Sequence, residues 1–283
     1  MAGSARRITA PGAAVVQALR SRPGLVLPVL TLATVLAWAV APDAFTARNP
    51  LTAAPTRAFT PPSSGAWFGT DYLGRDIYSR VVHGTAPSLR APVIAVGLAL
   101  LCGTVLGLAA GCLGDRVDAV LMRLVDVLLA IPGILVSLAV VTALGFGTAQ
   151  VAVAVGVAGI AGFARVTRAQ VLKVRQEPYV EAAFAAGVRR PVVILTHVLP
   201  NAYGPVLALA ALELGTAILS VSTLSFLGLG AQPPAPEWGA MVAEGQNYLG
   251  SHWWLTALPG LALAAVTLSV NRLANALRSP SLM

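Results

Sequence analysis

The sequence predicts an all-α membrane protein with about six transmembrane helices. Hydrophobic residues make up 57% of the 283 and charged residues only 11%, too few polar side chains to cover a soluble fold of this length. The apolar residues gather into separated blocks suited to a bilayer core about 30 Å thick, which takes roughly 20 residues of helix. The arginines stand beside these blocks rather than on an aromatic-interleaved face. That placement fits membrane orientation and a lipid bilayer as partner, and it argues against nucleic acid despite the formal net charge of +8.

In chain order the blocks are 24–41, 91–113, 125–146, 149–164, 206–229 and 254–270. The fourth and sixth are short, and uncharged neighbours can extend them. Gly97, Gly103, Gly107, Pro132, Gly156, Gly159 and Pro259 fall inside or beside the blocks, as close helix packing in a bundle tolerates. Cys102 and Cys112 share one block and read as small buried hydrophobes rather than a disulfide or a metal site.

The N-terminal tail, 1–23, carries Arg6, Arg7, Arg20 and Arg22 and no acid, so it is expected to stay in the cytoplasm. An even number of spans then returns the C-terminal tail, 276–283, to the same side. The segments 114–124 and 165–205 become cytoplasmic loops. These inner segments hold most of the basic residues, whereas 232–253 carries Glu237 and Glu244 and neither Lys nor Arg. The first block, 24–41, is long for a signal-peptide core and reads as an uncleaved anchor.

An extracytoplasmic segment, 42–88, follows. Its Pro/Thr/Ala-rich first part, to residue 65, is expected to pack loosely or to extend across the outer surface. From Asp76 onward Ile77, Val81 and Val82 recur at helical spacing, which predicts a short amphipathic surface helix leading into the core region, 89–275. Asp71 and Asp76 lack a third donor for a metal and are expected to cap or to pair with Arg75 and Arg80.

The loop 165–205 carries the most information. Pro178 can open a helix, Glu177 and Glu181 favour its positive end, and the alanines after them propagate it until Gly187 supplies a stop. Such a helix, roughly two to three turns long, is too short to be stable alone and needs a surface to lie on. Ala182, Ala183, Ala185 and Ala186 allow close approach, and Phe184 is either an anchor for a partner's pocket or tucked beneath the chain's own helix ends. Pro191 opens a second helical stretch, and 200–205 marks the turn into the fifth span. Arg189 and Arg190 suit anionic headgroups at the inner surface.

EAAFAAG at 181–187 with HVLPN at 197–201 resembles the cytoplasmic signature of permease subunits of bacterial ABC importers. FGTDYLGRDIYSRVVHG, DAVLMRLVDVLLAIPGILVSL and LSFLGLGAQPPAPEWGAMVAEG stand in the order of the dipeptide, oligopeptide and nickel branch, of the DppC and OppC type. The resemblance implies a type I importer permease (MetI-like) fold in the bacterial inner membrane. It implies a second, DppB-like or OppB-like permease subunit, two ATP-binding subunits and an extracytoplasmic substrate-binding protein as partners. Within the loop it assigns ATPase coupling to Glu181, Ala182, Ala183, Phe184, Gly187, Leu199 and Pro200. This chain has no GxxxxGK[ST] and is expected to bind no cofactor and catalyse nothing, with ATP and Mg held by the partner ATPase subunits. A dipeptide or oligopeptide is the implied substrate and a nickel or other metal chelate the alternative; scattered His83, His197 and His252 have no ligand spacing.

Glu213 departs from the family's small residue in the fifth span, where a charge is costly: it either faces the substrate pathway and meets a cationic group of the substrate, or is protonated or paired at a subunit interface. Asp126 is expected to pair with Arg123 or Arg116. Ser137, Ser220, Ser222 and Ser225 read as helix-packing hydroxyls. A secondary transporter or channel would show repeated halves and several intramembrane charges, and an intramembrane enzyme a paired catalytic motif; the sequence has neither.

Overall fold

A computed structural model describes residues 23–278, so the expectations placed on Arg6, Arg7, Arg20, Arg22 and residues 279–283 lie outside the described residues. Every regular element among the described residues is a helix. They are α1 (Val26–Val40), α2 (Ile77–Cys112), α3 (Asp115–Ala130), α4 (Gly133–Leu144), α5 (Thr148–Arg175), α6 (Pro178–Ala185), α7 (Arg190–Phe226), α8 (Trp238–Gly245) and α9 (Trp254–Arg278).

Each apolar block lies in a helix, but the blocks do not make six equal spans. Among the described residues α2, α5, α7 and α9 are long and apolar enough to cross a membrane, the pair α3 and α4 is bent by 96°, and α1 has only 15 residues. The bend replaces the single span expected over 125–146, and Pro132 explains it. Ile131, preceding a proline, is extended at φ −95° and ψ 130°, and Pro132 itself sits outside α4 at φ −52° and ψ 127°.

Helices also run further than the expected boundaries. The amphipathic stretch after Asp76 and the second span are one helix of 36 residues, about 54 Å long and well beyond a bilayer core. The expected loop 114–124 is helical from Asp115, and α5 continues to Arg175. Acids in the first turn of α3 and bases in the last turn of α5 suit the helix dipoles, so charge at a span's edge extended these helices instead of ending them. The expected turn at 200–205 is absent too. A π-helical turn, Ile194–Val198, in which the Leu199 N–H donates to the Ile194 carbonyl, carries the chain past Pro200, and Pro205 lies inside the helix.

The tightest seam is between α2 and α5. Gly103, Gly107 and Gly111 form a stripe at four-residue spacing, and a Cβ on Gly107 would lie 2.6 Å from both the Ala164 carbonyl oxygen and the Thr167 Cβ. The two backbones therefore touch. Asp118 of α3 takes both arms of the Arg168 guanidinium from α5, and Asp126 pairs with Arg165 at 2.5 Å rather than with Arg123 or Arg116. A neighbouring helix reached these carboxylates before their own helix could.

At the end that carries α8, Val35, Val81, Ile218, Trp238 and Val266 bring α1, α2, α7, α8 and α9 into one core. Residues 42–76 do not pack loosely there. Ala54 N–H donates to the Leu73 carbonyl at 3.0 Å, Phe59 N–H to Asp71 at 3.0 Å, and Thr70 N–H to Thr60 at 2.9 Å. Large apolar side chains such as Leu27, Leu36, Leu101, Val105, Leu261 and Leu268 stay exposed along the helices, a surface suited to lipid or to further subunits.

Candidate functional site

Helix α6 is anchored on one side and free on the other. Glu177 is extended at φ −74° and ψ 137°, Pro178 takes the first helical position, and the helix ends in Gly187 at φ +79°. The Gly187 N–H donates to the Phe184 carbonyl at 3.0 Å and the Val188 N–H to Ala183 at 3.2 Å, the paired bonds of a left-handed C-terminal cap. Val180 is fully buried among Val171, Val174, Val193 and Val198, with Ala183 beside it, so α6 is fastened to the end of α5 and the start of α7.

Glu181, Ala182 and Phe184, together with Gly187, face outward. Phe184 remains 36% exposed at the rim of a cavity of about 520 Å³ that also meets Arg175, Arg190 and Val198. The rest of its surface is covered at the ends of α2, α5 and α7, so it is partly tucked and partly free. The Glu181 carboxylate lies in the first turn of α6 and has no hydrogen-bond or ion-pair partner among the described residues. Space beside Gly187 is open: an added Cβ would meet nothing within 4 Å. Of the remaining loop residues, Leu199 is half-buried and Pro200 exposed. His197 serves packing, its ring 6.3 Å from Tyr179 and its carbonyl accepting from Asn201 Nδ2 at 2.7 Å.

A second feature lies mid-bundle. Helices α2, α4, α5 and α7 enclose an open cavity of about 320 Å³, into which Glu213, Thr216 and Ser220 of α7 converge with Ser137 of α4 and Phe163 of α5. The Ser137 hydroxyl donates to the Gly133 carbonyl at 2.9 Å, the expected packing role, whereas Ser220 lines the cavity without a partner among the described residues.

Sequence reasoning reached only part of a third: Asp71 pairs with Arg75 and Arg80 as expected, but the share of Glu244 was not foreseen. Asp71, Arg75 and Arg80 are buried with Glu244 of α8: Arg75 Nε lies 2.6 Å from Asp71, and Arg75 Nη2 lies 3.1 Å from Glu244. Beside them the carboxylate of Glu237, also buried, accepts from the N–H groups of Gly239 and Ala240 at 3.0 and 2.9 Å, capping α8. The Trp238 indole donates to the Val81 carbonyl at 2.9 Å. The four-residue spacing of Asp71 and Arg75 was a visible signal, and Asp76 caps α2 as expected, accepting from the Ser79 N–H at 3.0 Å. No sequence signal linked Glu244 to them. Among the described residues no group of three or more His, Cys, Asp or Glu is placed to hold a metal ion.

Residues 103–279 match the family described as binding-protein-dependent transport system inner membrane component. The chain is 38% identical over 267 residues to the probable D,D-dipeptide transport system permease protein DdpC of Escherichia coli (strain K12), covering 94% of this chain and 90% of the relative. It is 39% identical over 224 residues to the dipeptide transport system permease protein DppC of Alkalihalophilus pseudofirmus, covering 79% and 74%. Among solved structures, an amino acid ABC transporter crystallised with histidines superposes at a TM-score of 0.56 and 16% identity over 70% of this chain and 92% of that one. The inward-facing MetNI methionine ABC transporter superposes at 0.54 and 16% identity, over 71% and 97%. These last two are likenesses of fold.

Proposed function

The chain belongs to the family of binding-protein-dependent transport system inner membrane components, as a DppC/OppC-type ABC permease, and from that premise we propose that it forms half of the pathway of a peptide importer driven through α6. It is a multi-pass membrane protein and one component of a multi-subunit transporter. In the proposed assembly a second, DppB-like or OppB-like permease completes the pathway in the bacterial inner membrane. Two ATP-binding subunits hold ATP and Mg on the cytoplasmic side, with α6 and both termini facing them. A binding protein delivers dipeptides or oligopeptides from outside, the substrate class suggested by the names of the relatives.

The observation that carries the coupling reading is the two-sided character of α6. Val180 fixes it to α5 and α7, while Glu181, Ala182 and Phe184 are left for a partner. A short helix held this way moves as one piece with the helices it joins. Because α7 is continuous from Arg190 to Phe226, a push on α6 by closing ATPases is passed to the mid-bundle cavity along one unbroken helix, and rocking between inward-open and outward-open states follows.

Phe184→Ala tests this. A single exposed aromatic that fills a partner's pocket is worth roughly 2 kcal/mol or more when truncated. We expect the ATP-binding subunits to co-purify poorly with the variant and uptake of a labelled dipeptide to fall at least about tenfold. Normal retention and uptake would sink the assignment.

A further inference from the structure

In α7, Glu213, Thr216 and Ser220 follow one another at spacings of three and four residues, so one face of the helix turns a carboxylate and two hydroxyls toward the cavity of about 320 Å³. Part of the rest of α7 is packed, while Leu207 and Leu219 stay exposed. Ile218 and Leu224 are buried, and Gly215 lies against Asn271 of α9. None of the three polar groups has a hydrogen-bond or ion-pair partner among the described residues.

Other acids that pack between segments are partnered: buried Glu237 caps α8. Asp71, Asp76, Asp118, Asp126 and Glu244 each face an arginine. Glu213, half-buried within the longest apolar helix, does not. A carboxylate within a span is costly unless a cation offsets it. No arginine or lysine lines the cavity, so a cation that offsets an ionised Glu213 has to come from outside the chain.

We infer that Glu213 is the anionic end of a transit site for ligands that carry an ammonium group, such as the free amino terminus of a peptide or a basic side chain. A primary ammonium has three donors and no acceptor, and this face of α7 offers a carboxylate and two hydroxyl oxygens. The cavity volume is that of a small-ligand site, and Ile134 and Val155 supply an apolar wall for the rest of the molecule. The inference rests on the permease reading above and deepens it. It makes this chain, alongside the binding protein, selective for the charge of what passes. The competing source of the cation is a basic residue of the second permease subunit.

The test uses the whole transporter, isolated from membranes by a tag on this chain, with Cys102 and Cys112 replaced by alanine and a reporter introduced as Ser220→Cys. The reporter is modified with a cationic methanethiosulfonate bearing ethyltrimethylammonium and with an anionic one bearing ethylsulfonate, in Glu213 and Glu213→Gln backgrounds. We expect both reagents to reach the reporter. The cationic-to-anionic rate ratio should fall about tenfold in Glu213→Gln, the change expected for one carboxylate a few ångströms away in a partly screened cavity. The second permease subunit should co-purify with both versions. An unchanged ratio, or a reporter that neither reagent reaches, overturns the inference. So does loss of the second permease in Glu213→Gln alone, because the cation is then a subunit's. If no ATP-binding subunit accompanies even the unaltered chain, the permease reading has failed instead.

Discussion

Arg80 Nη1 lies 2.7 Å from Asp71 and 2.8 Å from Glu244, so one guanidinium ties the segment before α2 to helix α8 near the other end of the chain. Arg75 repeats the bridge from the next turn of chain. Four charges that are nearly out of water stand in one group, and each depends on the others for its solvation.

Removing one of them leaves a buried charge unpaired. Arg80→Ala and Glu244→Gln should each destabilise the chain by about 3–5 kcal/mol, and a double-mutant cycle should show strong coupling. Thermal unfolding in detergent checks this. A loss under about 1 kcal/mol would show the group to be solvated.

The α2–α5 seam should discriminate between glycines. Gly107→Ala places a methyl 2.6 Å from the Ala164 carbonyl oxygen and should cost about 1–3 kcal/mol. At Gly97 an added Cβ meets nothing within 4 Å, so alanine there should be neutral or stabilising by up to about 1 kcal/mol. Comparing the two thermal shifts separates helix propensity from close approach.

Gly187 should be sensitive to backbone conformation rather than to room within this chain. Its φ of +79° is strained for a β-branched side chain, so Gly187→Val should distort the cap of α6 at a cost of about 1–3 kcal/mol, while Gly187→Asn should keep it. In the proposed assembly the valine variant hydrolyses ATP without uptake and the asparagine variant transports. Equal transport by both would mean that the shape of the cap does not matter to coupling.

Val180 and Phe184 should separate anchoring from docking. Val180→Ala removes buried methyls from the cluster that holds α6 and should lower stability by about 1–3 kcal/mol. Phe184→Ala should cost less, about 1 kcal/mol, because its ring is only partly covered by the chain. If the two shifts are alike, Phe184 belongs to the chain's own core.

Glu181 shows where reading from sequence stops. Its position in the first turn of α6 followed from Pro178 and the alanines. That its carboxylate binds nothing in this chain could be learned only from the folded surroundings. Asp126 makes the same point: Arg123 is three residues away and on the same helix, yet Arg165 of α5 is the partner. Local spacing ranks neighbours along one helix and is blind to the helix packed against it.

Sequence alone determined that the chain is helical, where its apolar blocks lie, that Gly187 ends a short helix and that its motifs resemble an importer's permease, because helix period, propensity and capping are local properties of consecutive residues. Only the tertiary structure decided the bend at Pro132, the joining of α6 to α5 and α7, the buried group around Arg80 and the cavity before Glu213. Each depends on which distant surfaces meet, and in a chain this apolar many pairings satisfy the same pattern until packing and the pairing of buried charges select one.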